Sequence, residues 1–252
     1  MPPAFKRVPA VDKCFAILEL LAQSKEPMGI SSISGKLDLN KSTVFNIVHT
    51  LLDLKVLENH SDGRFVFGTR FYMLGSMAGK RSDLIQTAHP FLEAINKKTK
   101  LSAFLGLRSD RQVILIDKVD SANGIKLSSE IGMQMPVLAG AGIKALLSQL
   151  SDNEIDEILA RSELKRYTPY SIIDKTIYKE EILRVRKQGI AYDREEYIEG
   201  MVAFAIPIKA TSRDLLAAIW AVGLTRQVPK ASVPAITKLL KEISEELKYR
   251  LQ

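Results

Sequence analysis

Apolar positions along this chain follow two periods, and the switches between them predict its elements. From about Val8 to Gln23 they follow a helical period, as in Val11-Asp12-Lys13-Cys14-Phe15-Ala16-Ile17-Leu18. Ile30 to Leu37 reads as a short helix and Asp38-Leu39-Asn40 as a turn. On the next helix Val44, Ile47, Val48 and Leu51 recur at i, i+3, i+4 and i+7, one buried stripe. Asn40 stands where its side-chain oxygen can cap that helix. Leu54-Lys55-Val56-Leu57 then leads into Glu58-Asn59-His60, Ser61-Asp62-Gly63 turns, and Arg64-Phe65-Val66-Phe67 returns. Asp-Gly between apolar-rich runs is a strong hairpin signal. Helix, turn, helix and hairpin together make a winged helix-turn-helix, with a second helix shaped for the major groove.

Beyond the hairpin, Gly68-Thr69-Arg70 opens a helix running to about Gly79, with Phe71, Leu74, Met77 and Ala78 on its apolar face. A helix spans about residues 84 to 99. Strands follow at Leu101 to Leu107 and Gln112 to Val119 around an Arg108-Ser109-Asp110-Arg111 turn, and a third covers Ile125 to Glu130. A glycine-rich turn starts a helix at about Ala141 to Leu150; further helices cover 152 to 160 and 175 to 188. Short strands at about 190 to 194, 201 to 208 and 215 to 223 precede a final amphipathic helix, Ser232 to Leu251. Strand pairs separated by helices suggest an α+β domain with an antiparallel sheet. The organisation read from the chain is residues 1–67 as a winged helix-turn-helix, 68–82 as a linker helix, and 83–252 as a second domain.

The face left outward by the buried stripe holds Lys41, Ser42, Thr43, Phe45, Asn46 and His49, with no acid before Asp53. A solvated face usually alternates Glu and Lys. Hydroxyls and Lys suit phosphate oxygens, Asn can pair with adenine, and an aromatic ring can press on a thymine methyl. Arg64, in the wing, suits a phosphate or the minor groove. The chain's 252 residues carry a formal charge of +7. Residues 1–80 contribute ten Lys and Arg against seven Asp and Glu, hence +3. Charge alone is therefore only mild support for a polyanionic partner, although self-association would multiply the field. The single cysteine, Cys14, excludes an internal disulfide and reads as a small buried hydrophobe. No apolar run reaches membrane-spanning length, and the N-terminus lacks the apolar core of a signal peptide, so the expected location is the cytoplasm.

Particular motifs carry a family resemblance: Val11 to Leu21, the helix start Lys41-Ser42-Thr43, the wing Asp62-Gly63-Arg64 and Leu74-Gly75. Farther on stand Met135-Pro136-Val137 before Ala141-Gly142-Ile143-Lys144-Ala145-Leu146-Leu147, then Gly189 to Gly200, then Ala205-Ile206-Pro207-Ile208. In order and spacing these resemble the IclR family of bacterial transcriptional regulators, over about residues 8 to 250. The resemblance implies a GAF-like effector domain behind the winged helix, dimers that pair into tetramers, and operator binding altered by a small molecule. It implies an effector site at Ala141 and Gly142, whose amides open a helix and favour a carboxylate, and at the acidic Asp193. Where many members of the family place a Cys this chain has Ala203, and Leu138, Trp220 and Val222 replace polar residues, so the pocket is expected to be more apolar. Leu127, Met135 and Met201 complete the expected wall. A larger aromatic or aliphatic acid then suits the site better than a small polar one such as glyoxylate.

Catalytic constellations are not expected. His49, His60 and His89 do not fall at metal-ligand spacing, there is no nucleophile elbow, and Gly140-Ala141-Gly142-Ile143-Lys144 lacks the spacing of a phosphate loop. Glu195, Glu196 and Glu199 read as an exposed loop or a structural acidic motif rather than a general acid and base. No cofactor or metal is expected. The expected partners are double-stranded operator DNA, a small-molecule effector and further copies of the chain. The alternative is a ligand-independent DNA-binding regulator whose Trp220 packs the second domain shut; a third is a signalling module acting through protein contacts.

Overall fold

A computed structural model describes residues 6–80, 82–109, 112–121, 129–136, 138–209 and 216–251. The chain divides into two compact units, Met1–Arg81 and Ser82–Gln252.

In the first unit α1 (Pro9–Gln23), α2 (Ile30–Leu37) and α3 (Lys41–Asp53) pack around Ile17, Leu21, Ile33, Val44, Val48 and Leu51. Strands β1 (Leu57–Asn59) and β2 (Phe65–Phe67) form the antiparallel wing, closing that core with Leu57 and Phe65. Gly63 supplies the positive φ (75°) that the tip of the wing needs. The turn before α3 is set differently from the sequence expectation. Asn40 makes no side-chain cap; instead Asp38 takes the left-handed conformation that ends α2, and Ser34 Oγ donates to the Leu39 carbonyl at 2.6 Å. The hydroxyl inside α2 ties the turn, leaving the Asn40 carbonyl to accept from Val44. Helix α4 (Thr69–Lys80) follows, with Phe71, Tyr72, Met73, Leu74 and Met77 exposed.

Among the described residues the second unit is a six-stranded antiparallel sheet between two helical layers. Its strands are β3 (Ser102–Ser109), β4 (Gln112–Val119), β5 (Gln134–Met135), β6 (Ala191–Arg194), β7 (Met201–Lys209) and β8 (Leu216–Leu224), in the order β5-β4-β3-β8-β7-β6. Alternation decides the layers. Leu105, Phe204, Ile206, Ile219 and Ala221 join the core beneath α5 (Asp83–Thr99) and α9 (Val233–Arg250). Phe104, Leu115, Ala205 and Trp220 join the core beneath α6 (Gly140–Leu147), α7 (Asp152–Arg161) and α8 (Lys175–Gln188). Both faces being covered explains why β8 reads as a continuous apolar run, Leu-Ala-Ala-Ile-Trp-Ala-Val, rather than an alternating one. The expected strand at Ile125 to Glu130 falls largely outside the described residues; Ser129 and Glu130 are not in a strand, and β4 pairs instead with Gln134–Met135. The α6 helix ends at Leu147, three residues before the expected Leu150.

Candidate functional site

Helix α3 presents the outward face that its stripe dictates. Val44, Val48 and Leu51 are buried, Lys41, Ser42, Phe45, Asn46 and His49 are exposed, and Thr43 is half-buried. Phe45 is 48% exposed, and its ring lies 4.0 Å, centroid to centroid, from that of His49 one turn on. In the wing, Arg64 is not free: its Nε donates to Asp62 Oδ2 at 2.6 Å, Nη2 pairs with the same oxygen, and Nη1 reaches the Pro27 carbonyl at 3.5 Å. The Arg64 hydrogen bond, foremost, holds the Asp62 carboxyl well below the usual range. Arg64 thus props the wing tip and carries a partly neutralised charge.

The second unit holds a cavity of about 60 Å3 where the start of α6 meets β4 and the β6-β7-β8 side of the sheet. Its wall includes Val113, Met135, Ala141, Gly142, Asp193, Tyr197, Ala203, Trp220 and Val222. The antiparallel register builds it, setting Ala203 opposite Asp193 on one side and opposite Val222 on the other. A φ of +82° at Gly140 turns the chain into α6, which has no side-chain cap at its N-terminus. The first amides of a helix lack intrahelical partners and favour an anion. The lining is otherwise apolar, and the volume is well under the roughly 150 Å3 of a cavity that takes benzene. Trp220 explains the difference. Its ring, 5% exposed, lies against Gly142 and Gly106 and tilts 60° to Phe104 at 5.8 Å. The space beside Gly142 is therefore occupied by the indole itself.

A buried polar cluster backs the cavity. Lys144, on α6 and 1% exposed, donates to both carboxylate oxygens of Glu196 at 2.8 Å. Asp193 Oδ1 accepts the Glu196 amide at 2.7 Å, and Glu195 accepts the Gly200 amide at 2.7 Å. Thr168 Oγ1 donates to the Glu195 carbonyl at 2.6 Å, and Ser171 Oγ to the Glu196 carbonyl at 2.7 Å. Burial pushes the Asp193 carboxyl up to about 6, against the lowering pull of the Glu196 amide. The acidic segment is therefore structural and half-buried at Glu195 and Glu196, with only Glu199 exposed. Nearby, the Tyr178 hydroxyl on α8 is buried with no hydrogen-bond partner among the described residues, and its pKa is raised by burial and by Glu196 and Asp193.

Of the residues expected at this site, Met135, Ala141, Gly142, Asp193, Ala203, Trp220 and Val222 meet at the cavity. Leu127 lies outside the described residues. Met201 is buried but not in the wall: it pairs with Leu224, two residues along β7 from Ala203, and a two-residue step carries it some 6–7 Å away. Val113 and Tyr197 line the cavity unexpectedly; strand alternation from Leu115 signals the first, and nothing local signals the second. Among the described residues no group of three or more His, Cys, Asp or Glu could hold a metal ion, and no helix is long and apolar enough to cross a membrane. Cys14 is half-buried against the first unit's core, and burial raises its thiol pKa.

Known proteins share both units. The family described as "Bacterial transcriptional regulator IclR C-terminal" matches residues 77–249, and "IclR helix-turn-helix domain" matches residues 10–61. The HTH-type transcriptional repressor AllR of Salmonella typhi is 26% identical over 251 residues, covering 99% of this chain and 92% of that protein. A crystal structure of an IclR transcriptional regulator from Alicyclobacillus acidocaldarius has a TM-score of 0.87 at 25% identity, covering 98% of this chain and all of that one. An IclR homologue from Microbacterium hydrocarbonoxydans, solved with 4-hydroxybenzoate, shares the fold with a TM-score of 0.81 at 20% identity, covering 96% of this chain and 98% of that one. With a DNA-binding helix-turn-helix, an effector domain and family matches across both, this chain belongs to the IclR family of bacterial transcriptional regulators.

Proposed function

We propose that this regulator reads a pseudo-palindromic operator as a dimer or tetramer, and that an apolar, most simply aromatic, carboxylic acid alters its grip. The observation that carries the reading is the uncapped start of α6 opening on an apolar, Trp-walled cavity. The amides of Ala141 and Gly142 would hold the carboxylate, and Trp220, Val222, Met135 and Ala203 the hydrocarbon. At about 60 Å3 the cavity is smaller than such a ligand, so binding requires the indole or the Met135 side chain to move. The homologue solved with 4-hydroxybenzoate offers one case of an aromatic acid on this fold. On the DNA side, Asn46 and Phe45 would face bases, with Lys41, Ser42, Thr43, His49 and Arg64 on phosphates or the minor groove. One winged helix buries too little surface for operator-level affinity, and the exposed Phe71, Leu74 and Met77 of α4 suit pairing with a second copy. In this reading residues 1–67 bind DNA, 68–82 link, and 83–252 sense. Operator affinity with and without a panel of aromatic acids tests it.

The second reading, a packed domain that regulates without a ligand, has an observation of its own in the indole wedged between Gly106 and Gly142. Under it no acid alters operator affinity.

A further inference from the structure

The cavity wall carries one acid, Asp193, and no Lys, Arg or His among the described residues. Asp193 stands at the place where an anion would bind: a Cβ on Gly140, at the start of α6, would lie 3.5 Å from Asp193 Oδ2. A ligand carboxylate held by the first amides of α6 therefore cannot keep its distance from this side chain. The charges around Asp193 are few. From α6 comes Lys144, whose ammonium is already gripped by both oxygens of Glu196 at 2.8 Å. From the segment after β6 come Glu196 itself and Tyr197, and from α8 the Tyr178 hydroxyl. Strand β7, paired with Asp193 through Ala203, brings no titratable side chain there. Asp193, Glu196 and Lys144 already sum to one negative charge when ionised. A bound carboxylate would make two, in a site 7% exposed at Asp193 and, among the described residues of the cavity wall, without a cation to answer the second.

Resting on the acid-effector reading above, we propose that the ligand's carboxylate binds with uptake of one proton from solvent onto Asp193, whose new O–H donates to that carboxylate. Two carboxyl groups this close share a single proton because both cannot ionise together. Asp193 thereby selects monocarboxylates: a second ligand carboxylate would need a second compensating proton. It also gives binding a direction in pH. With the free carboxyl titrating at about 6 and the bound one higher, affinity is flat below that value and falls as pH rises between the two, by up to about tenfold per pH unit.

The test is isothermal titration calorimetry of the full chain with benzoate and 4-hydroxybenzoate, at about pH 6 and about pH 7.5, well above the ordinary range for carboxylic acids. Each pH is run in two buffers of different ionisation enthalpy, so that proton uptake is read directly. The proposal expects a large fraction of one proton taken up per acid at the higher pH, and weaker binding there. Asp193→Asn, which keeps the oxygen that accepts the Glu196 amide, should bind without uptake and with the same affinity at both pH values. Acid binding to the wild-type chain with no proton uptake at either pH overturns the proposal and leaves the acid reading standing. Failure of both acids to bind at either pH overturns both. The wild-type arm decides the matter even if Asp193→Asn does not fold.

Discussion

Trp220 fills the space that a side chain at Gly106 would need. A Cβ on Gly106 would lie 2.6 Å from Cη2 of the indole and 2.8 Å from Val113 Cγ1, closer than real Cβ contacts come. At Gly142 the nearest indole atom would be 3.1 Å away. Two glycines, one on β3 and one on α6, are thus the complement of a single tryptophan on β8. Gly106→Ala should destabilise the second unit by about 1–3 kcal/mol through overpacking, read as a lowered midpoint in urea. Gly142→Ala should cost less than Gly106→Ala while shrinking the cavity.

Trp220 is the only tryptophan, so its fluorescence reports the cavity without a label. Aromatic acids should quench or shift its emission. Trp220→Ala should cost about 3–5 kcal/mol of stability and weaken acid binding by about 1–3 kcal/mol through lost stacking and burial. Emission unmoved by every acid in a broad panel would favour the packed domain.

The Lys144–Glu196 pair predicts a different pattern. Lys144→Met should destabilise by about 3–5 kcal/mol, because it strands a largely buried carboxylate. Lys144→Met with Glu196→Gln should recover much of that loss, since neither charge then remains. Equal stability of the single and double variants in chemical denaturation would contradict the pairing.

These cases mark what the sequence makes legible. Helical and alternating periods placed α1 to α9 and most strands, because burial on one face is written locally. Asp62-Gly63 placed the wing for the same reason: the turn needs its residues in order. Seven residues of the cavity wall were named too, Ala141, Gly142, Asp193 and Ala203 through the family resemblance, Trp220 and Val222 through that resemblance and the alternation that puts them on one strand face, and Met135 as an expected part of the apolar wall. Lys144 and Glu196 lie 52 positions apart, and their ion pair exists only once α6 lies across β6, so Glu196 read either as part of an exposed loop or as a structural acidic motif, with no partner named for it. The cavity's volume depends on a rotamer of Trp220 and on Gly106, neither of which has a sequence signature. Asn40 had the chemistry of a cap, but Ser34 ties that turn instead.

On DNA, Asn46→Ala should lose roughly 1–3 kcal/mol on the selected operator and relax the preference for one base pair per half-site. Arg64→Ala should weaken all sequences alike and reduce the salt slope by at most about one, since Asp62 already shares its charge. Equal losses on operator and random DNA for Asn46→Ala would remove that side chain from the base-reading face.

The most direct test of the account is fluorescence anisotropy of a labelled duplex, recovered by selection from a random pool, titrated with the full chain with and without benzoate and 4-hydroxybenzoate. The account predicts that the selected duplex is a pseudo-palindrome bound at least about 1,000-fold more tightly than random DNA. It also predicts that an aromatic acid shifts that affinity, and that Asn46→Ala narrows the gap. Binding with no preference over random DNA, or an operator affinity that no acid moves, would contradict it.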